Sequence, residues 1–300
     1  MGKYLWRNPE LAFAEFKAHD YITRYLDDEG FQVARNYALP TAFRAEFGGG
    51  DVTVVVLCEY DALPGLGHAC GHNLIAQSSV AAGIAVKEVL QQASLPGKVV
   101  VLGTPAEEGG GGKVHLLKAG AFNSVDAALM AHPSTRNVAA CTTTAVAKYA
   151  VMYKGRPTHS AASPWQGRNA LDAAVSAYTS VAMLRQQLRP EYRVSGILRK
   201  GGDQPNIIPA ETTMEFDVRA PQASQLDELG RKLRACFDAG ALSSGCDVSV
   251  KEAMPAYKNL LPNVTMAKIY RAHAEEQGLL FPDGDVSPAS SASTDVGNVS

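Results

Sequence analysis

The chain has 300 residues, 46% of them hydrophobic, which at roughly 150 residues per domain sets an expectation of two domains with real cores. Lys and Arg number 28 against 30 Asp and Glu, a net charge of −2, so there is no basic footprint for nucleic acid. No apolar run approaches the roughly 20 residues of a membrane span. The opening MGKYLWRNPE lacks the basic-then-apolar layout of a signal peptide, and Trp6 stands where a myristoylation motif needs Ser or Thr. A soluble, cytoplasmic protein with no nucleic-acid or membrane partner is expected.

In chain order, Leu11, Phe16, Tyr21 and Leu26 recur at loosely helical spacing, and a helix is expected from Pro9 to Asp28, closed by Gly30. Val52 to Cys58 is a continuous β-branched run, the pattern of a strand buried on both faces. An Ala/Val-rich helix is expected from about Asn73 to Gln92, a second buried strand over Val99 to Leu102, a short helix around Leu116 and a third strand over Ala127 to Met130. That alternation predicts an open, mostly parallel sheet covered by helices.

From about Cys141 the pattern changes. Strands are expected over Thr142 to Tyr153, Tyr192 to Leu198, the alternating Met214, Phe216 and Val218, and Val248 to Val250. Between them lie a helix from Asn169 to Leu188, with Leu171, Val175, Tyr178 and Ala182 as its face, and one from Ser224. The latter has a capping-box-like Asp227 and the stripe Leu226, Leu229, Leu233 and Phe237. The order βαββαβ is ferredoxin-like. The expected division is therefore a first part over 1–141, a small inserted domain over 142–255, and a returning second part over 256–300, which starts with a helix carrying Val264, Ile269 and Tyr270. The Ser/Ala/Pro-rich stretch from Ser287 to Ser300 shows no helix or strand pattern, and the returning part is expected to be incomplete.

Each buried run of the first part ends in polar residues: Glu59 and Asp61, then Glu107 and Glu108, then His132. Ligands of open α/β sheets bind at the carboxyl ends of the strands, so these side chains should converge, together with Cys70 and His72 at the start of the next helix. A thiolate, two imidazoles and several carboxylates suit zinc. Taken singly, a Cys beside a His is commonly core and adjacent glutamates a solvated face; shared position at the strand ends is what favours a site. The five cysteines, Cys58, Cys70, Cys141, Cys236 and Cys246, contain no CxxC pair, so Cys70 apart they read mostly as buried small hydrophobes. The glycines at 109–112 and at 65–67 miss the Walker and dinucleotide patterns.

Six segments in this order, Asp61-Ala62-Leu63-Pro64-Gly65, His68-Ala69-Cys70-Gly71-His72-Asn73, Pro105-Ala106-Glu107-Glu108, Ala131-His132-Pro133, Gly155 to Ala161 and Asn206-Ile207-Ile208-Pro209, resemble the M20 metallopeptidase/amidohydrolase family, in its amidohydrolase branch. The resemblance implies a zinc-exopeptidase-like catalytic domain with an inserted lid that also makes a homodimer. It implies two divalent ions, Zn2+ or Mn2+, with Cys70 bridging, His72 and His132 on one ion and Glu108 on the other, and Glu107 as general base. Asp61 either orients an imidazole ligand or stabilises its turn. His159 would polarise the substrate carbonyl, against the reading of an exposed loop histidine. Asn206 and Arg219 would hold the substrate's terminal carboxylate, Arg219 being equally a solvated strand residue. The implied substrates are β-alanyl-lysine-like dipeptides, with p-aminobenzoyl-glutamate or other N-acyl amino acids as the alternative. The family's further histidine ligand is expected after the Ser293 to Ser300 segment, leaving the second metal site incomplete here, since His19, His115 and His273 sit on predicted helices outside the motifs. A thiol hydrolase built on Cys70 and a catalytically impaired binding or dimerisation protein are the competing expectations.

Overall fold

The computed structural model describes residues 1–281 and 292–300, which leaves the stretch from Ser287 to Ser291 outside the described residues. Contacts divide these into two compact units, one of Met1–Ala140 with 263–281 and Thr294–Ser300, the other of Cys141–Pro262 with 292–293.

The first unit begins with α1 (Gly2–Arg7) and α2 (Phe16–Asp28), then β1 (Gln32–Arg35), β2 (Phe43–Gly49) and β3 (Thr53–Cys58). It continues with α3 (His72–Gln92), β4 (Gly97–Gly103), α4 (Gly112–Lys118) and β5 (Ala127–Leu129). The five strands lie in the order β1-β2-β4-β3-β5. β3 pairs in parallel with both β4 and β5, so the two Val-rich runs and the short, less buried Ala127–Leu129 strand form the parallel heart of the sheet. Alternate residues of these strands feed opposite faces: Val99 and Val101 pack with Ile22, Leu26, Ala76 and Val80, whereas Val100 and Leu102 pack with Val55, Leu57 and Leu116. Burial on both faces explains the absence of polar alternation.

Here the structure corrects several expectations. β1 and β2 were not foreseen, and β2 runs antiparallel to β4, making the sheet mixed. The first long helix starts at Phe16, not Pro9; the Glu10 carboxylate accepts from the Lys17 and Ala18 amides, satisfying first-turn donors from outside the helix. Its buried face is Ala18, His19, Ile22, Thr23 and Leu26, while Leu11 and Phe16 are exposed. Only Cys58 and Cys246 are buried among the five cysteines. Asp295–Asn298 forms a 3-10 turn where no element was expected.

The second unit comprises β6 (Ala145–Lys154), α5 (Ala170–Arg185), β7 (Arg193–Lys200), β8 (Glu211–Ala220), α6 (Ala223–Ser244) and β9 (Asp247–Glu252). Its sheet order β7-β8-β6-β9 is antiparallel throughout, the βαββαβ sandwich that the sequence predicts. Leu226, Leu229, Leu233 and Phe237 are its core stripe on α6. That helix has no capping box, since it starts at Ala223 and makes no side-chain cap bond. The face of α5 is also inverted. Ala170, Ala173, Ala174, Ala177 and Val181 are buried, whereas Val175 and Tyr178 are exposed. Small residues win that face because α6 approaches closely there: a Cβ on Gly240 would lie 2.5 Å from the Ala173 carbonyl oxygen and 3.0 Å from Ala177 Cβ.

α7 (Val264–Glu276) returns to the first unit. Among the described residues no helix is long and apolar enough to cross a membrane.

Candidate metal centre

β3, β4 and β5 point the same way, so the residues that follow them gather at one sheet edge. Glu59 and Asp61 leave β3, Glu107 and Glu108 leave β4, and His132 follows β5. Gly71, at φ +84°, makes the left-handed turn into α3 and places Cys70 before it and His72 on the first helical position. A Cβ at Gly71 would meet Pro133 Cγ at 2.8 Å, so the residue also permits this turn to press against the His132-Pro133 loop.

Two groupings result. Cys70, His72 and His132 each offer one ligand atom, all within 4.8 Å of one another, and so do His72, Glu107 and Glu108. Cys70 Sγ lies 3.5 Å from His132 Nε2, and the other nitrogen of that ring is bonded to the Pro133 carbonyl oxygen at 2.9 Å. His72 is fully buried. Its Nδ1 meets Asp61 Oδ1 at 3.0 Å, which turns Nε2 toward Glu59, Glu108 and Glu107 at 3.4, 3.8 and 3.9 Å. The second oxygen of Asp61 accepts the Glu108 amide at 2.9 Å. Asp61 thus ties the imidazole to the loop that carries both glutamates.

The electrostatics follow from burying this much negative charge. Burial alone would lower the His72 imidazolium, but bonds to Asp61 and Cys70 with the Glu59 charge push it up to about 11. The bond to Cys70 raises His132 to about 9, and His132 and His72 together hold the Cys70 thiol below its usual range. Burial, aided by the Glu59 charge, drives Glu107 up to about 8. The site therefore calls for positive charge. Glu59 Oε2, His72 Nε2 and Glu108 Oε1 are buried there without a hydrogen-bond partner, and such groups are costly unless something binds them. Sulfur, imidazole nitrogen and carboxylate oxygen together fit a divalent transition ion.

Sequence reasoning missed three buried charged residues beside this cluster. Lys113 Nζ donates to Glu59 Oε1 at 2.5 Å and to Asp295 Oδ1 at 2.7 Å, and the Lys113 amide donates to Asp295 Oδ2. Glu15 accepts from the Phe13 and Ala106 amides and from Thr41 Oγ1, gripping the residue just before Glu107.

His159, Asn206 and Arg219 belong to the second unit. The His159 and Asn206 loops are joined, with Ser160 N donating to the Asn206 carbonyl oxygen at 3.0 Å, and both side chains are exposed. His159 Nδ1 accepts the Ala161 amide at 3.2 Å, which leaves the neutral ring's proton on Nε2. Arg219 is half-buried on β8 and bonded to Asp217 Oδ1 at 2.9 Å and to Ser293 Oγ. It is not a purely solvated strand residue.

Comparison with known proteins bears on this arrangement. Residues 56–300 match the profile of peptidase family M20/M25/M40. The chain is 45% identical to the Xaa-Arg dipeptidase of Mus musculus over 314 aligned positions, covering all of this chain and 73% of that protein. It is 34% identical to one of the subunits of the p-aminobenzoyl-glutamate hydrolase of Escherichia coli, covering 87% and 58% of the two chains. A dinuclear metal-binding M20 peptidase of Bacillus subtilis superposes with TM-score 0.71 at 22% identity, covering all of this chain and 83% of that one, which shows the shared fold. The chain belongs to peptidase family M20/M25/M40 and is a metal-dependent hydrolase of peptide or amide bonds.

Proposed function

We propose that this hydrolase is a dipeptidase for substrates with a basic C-terminal residue, of the Xaa-Arg or β-alanyl-lysine kind, working at a centre held by Cys70, His72, Glu108 and His132. The observation that carries the chemistry is the buried His72 imidazole, oriented by Asp61 and aimed at Glu107 and Glu108. The 45% identity to an Xaa-Arg dipeptidase carries the substrate class. The identity to a p-aminobenzoyl-glutamate hydrolase keeps N-acyl amino acids as the second class to assay.

Zn2+ or Mn2+, when bound, supplies Lewis acidity that makes water nucleophilic near neutral pH. The residues do the rest. Glu107, buried beside His72 and Glu108, takes the proton from the attacking water in its ionised form and returns it to the leaving amine. Asp61 fixes the ring orientation of His72. His159, with its proton on Nε2, donates to the substrate carbonyl oxygen as negative charge develops there. Arg219, whose guanidinium is already aligned by Asp217, offers a planar fork to the terminal carboxylate, with Asn206 beside it. The second unit is the lid, and exposed Val175, Tyr178, Met183 and Ile197 on α5 and β7 supply apolar surface for a homodimer.

A panel of Xaa-Arg, β-alanyl-lysine and p-aminobenzoyl-glutamate substrates, before and after chelation and with Zn2+ or Mn2+ restored, tests this. Turnover of the basic dipeptides that disappears on chelation and returns with metal is the expected outcome. The closeness of Cys70 to His132 also permits a thiol nucleophile. Activity that survives chelation but not alkylation would replace the metal reading with that one.

A further inference from the structure

Beside the centre lies a second cluster of acidic groups. Glu59, Glu107 and Asp295 each present an oxygen within 4.8 Å of the others, and all three are buried. Oxygen-only donor sets of this kind are the usual hosts of hard divalent ions. This one contains an ammonium instead. Lys113 Nζ sits between Glu59 Oε1 and Asp295 Oδ1, and the side chain is fully buried.

We propose that Lys113 is a resident cation that fills this carboxylate cage, bars divalent metal from it, and thereby confines metal to the side lined by Cys70, His72, His132 and Glu108. Three features carry the inference. First, Asp295 grips Lys113 twice, through the backbone amide at 2.8 Å and the ammonium at 2.7 Å, so the lysine is anchored at both ends and cannot swing away. Second, Glu59 is a wall common to both compartments. Its Oε1 is bound to Lys113, while Oε2 has no hydrogen-bond partner and lies 3.4 Å from His72 Nε2. Third, a buried ammonium persists only where carboxylates compensate it, and buried carboxylates persist only where a cation compensates them. Glu59 and Asp295 meet that condition with Lys113 in place. If Lys113 is replaced by a short neutral side chain, Glu59 and Asp295 lose their counter-cation and the cage gains room, so that a divalent ion can take the place of the ammonium. Glu107 is a member of the cage, so that ion would turn a base into a ligand. Lys113 is thus a positioning residue that keeps Glu107 uncoordinated.

The inference concerns how many ions bind and does not depend on which dipeptide is cleaved. Wild type, Lys113→Ala, Lys113→Met and the double variant Lys113→Ala/Glu59→Gln are stripped with chelator, freed of it, and titrated with Mn2+ while unbound ion is read by electron paramagnetic resonance. Lys113→Ala should bind one Mn2+ per chain more than wild type. Lys113→Met, which fills the space without charge, and the double variant should not. Should Lys113→Ala be unfolded without metal, Mn2+ should restore its far-ultraviolet circular dichroism and raise its Tm by more than it raises that of wild type. An unchanged Mn2+ number in a folded Lys113→Ala, or an unfolded Lys113→Ala that Mn2+ does not recover, overturns the proposal. A wild type that binds no metal at all would count against the metal centre, whereas the increment between variants alone reports on the cage.

Discussion

Glu15 offers a quantitative test of how the first unit holds the Glu107 loop. Its side chain is inaccessible to solvent; Oε1 takes the Phe13 amide at 3.0 Å and the Ala106 amide at 2.9 Å, and Oε2 takes Thr41 Oγ1 at 2.7 Å. Both amides come from non-glycine residues in the left-handed region, Phe13 at φ 61° and Ala106 at φ 62°, conformations that cost roughly 1 kcal/mol or more and need external support. Burial pushes the Glu15 carboxyl from its ordinary 4.5 up to about 7, with the Thr41 bond pulling partly back. Because the folded carboxyl keeps its proton at pH values where the unfolded chain has released it, the contribution is complete below pH 4.5 and is lost as pH rises to about 7. A difference of about 2.5 units amounts to roughly 3 kcal/mol. Glu15→Gln abolishes that dependence. Its carbonyl oxygen still receives both amides and its NH2 can face Thr41 as the protonated carboxyl does, but the second amide hydrogen is a buried donor the acid lacks, a pH-independent cost of about 1 kcal/mol.

The variant should therefore be about 1 kcal/mol less stable than wild type at low pH and about 2 kcal/mol more stable at pH 8, the curves crossing at roughly pH 5 to 6. Urea unfolding of chelator-treated protein measures this. A Trp165→Phe background leaves Trp6, on α1, as the sole tryptophan and so makes the signal specific to the first unit. A difference between wild type and variant that stays flat from pH 4.5 to 8 would refute the argument, because it would mean that Glu15 gives up its proton as readily in the fold as in the unfolded chain.

Four further outcomes are expected. Glu107→Gln should reduce kcat by 10^2-fold or more, roughly the worth of a general base, with bound metal measured by elemental analysis nearly unchanged; joint loss of metal would exchange the roles of Glu107 and Glu108. Adding Zn2+ to stripped protein in weak buffer at pH 8 should release protons, because His72 and His132 carry theirs up to about 11 and 9 and the metal takes the neutral rings; an indicator dye that detects no release would contradict the ligand assignment. Arg219→Lys should raise KM about tenfold or more with little change in kcat, since lysine lacks the planar fork, and should erase any preference for a free over an amidated C-terminus; a wild type indifferent to amidation would remove Arg219 from the site. A fragment of residues 141–262 should melt cooperatively and sediment as a dimer, and a molten or strictly monomeric fragment would count against the second unit as an independent dimer-forming lid.

What the sequence disclosed and what it concealed divide along one physical line. β3, β4 and α3 were legible because a parallel strand buried on both faces must be a continuous apolar run, and the residues after such strands must meet at one edge. Hence Glu59, Asp61, His72, Glu107, Glu108 and His132 could be gathered from the order of residues alone. β1 and β2 were not, since Gln32–Arg35 is largely exposed and Phe43–Gly49 mixes Arg44 and Glu46 with two glycines; β2 is a strand by pairing with β4 and β1 by pairing with β2, not from local preference. The inverted face of α5 was hidden for a related reason. Hydrophobicity alone ranks Val175 and Tyr178 above Ala173 and Ala177, yet the space beneath α6 admits only the smaller pair. Lys113 was the least legible of all. In Gly112–Lys118 it reads as the solvent side of an amphipathic turn, and only a partner 182 residues away, Asp295, converts it into a buried counterion. Periodicity reports how a segment meets water, so it identifies groups that are buried because they are apolar. An ionisable side chain buried because distant partners await it leaves no periodic trace, and Glu15, Lys113 and Asp295 are all of that kind.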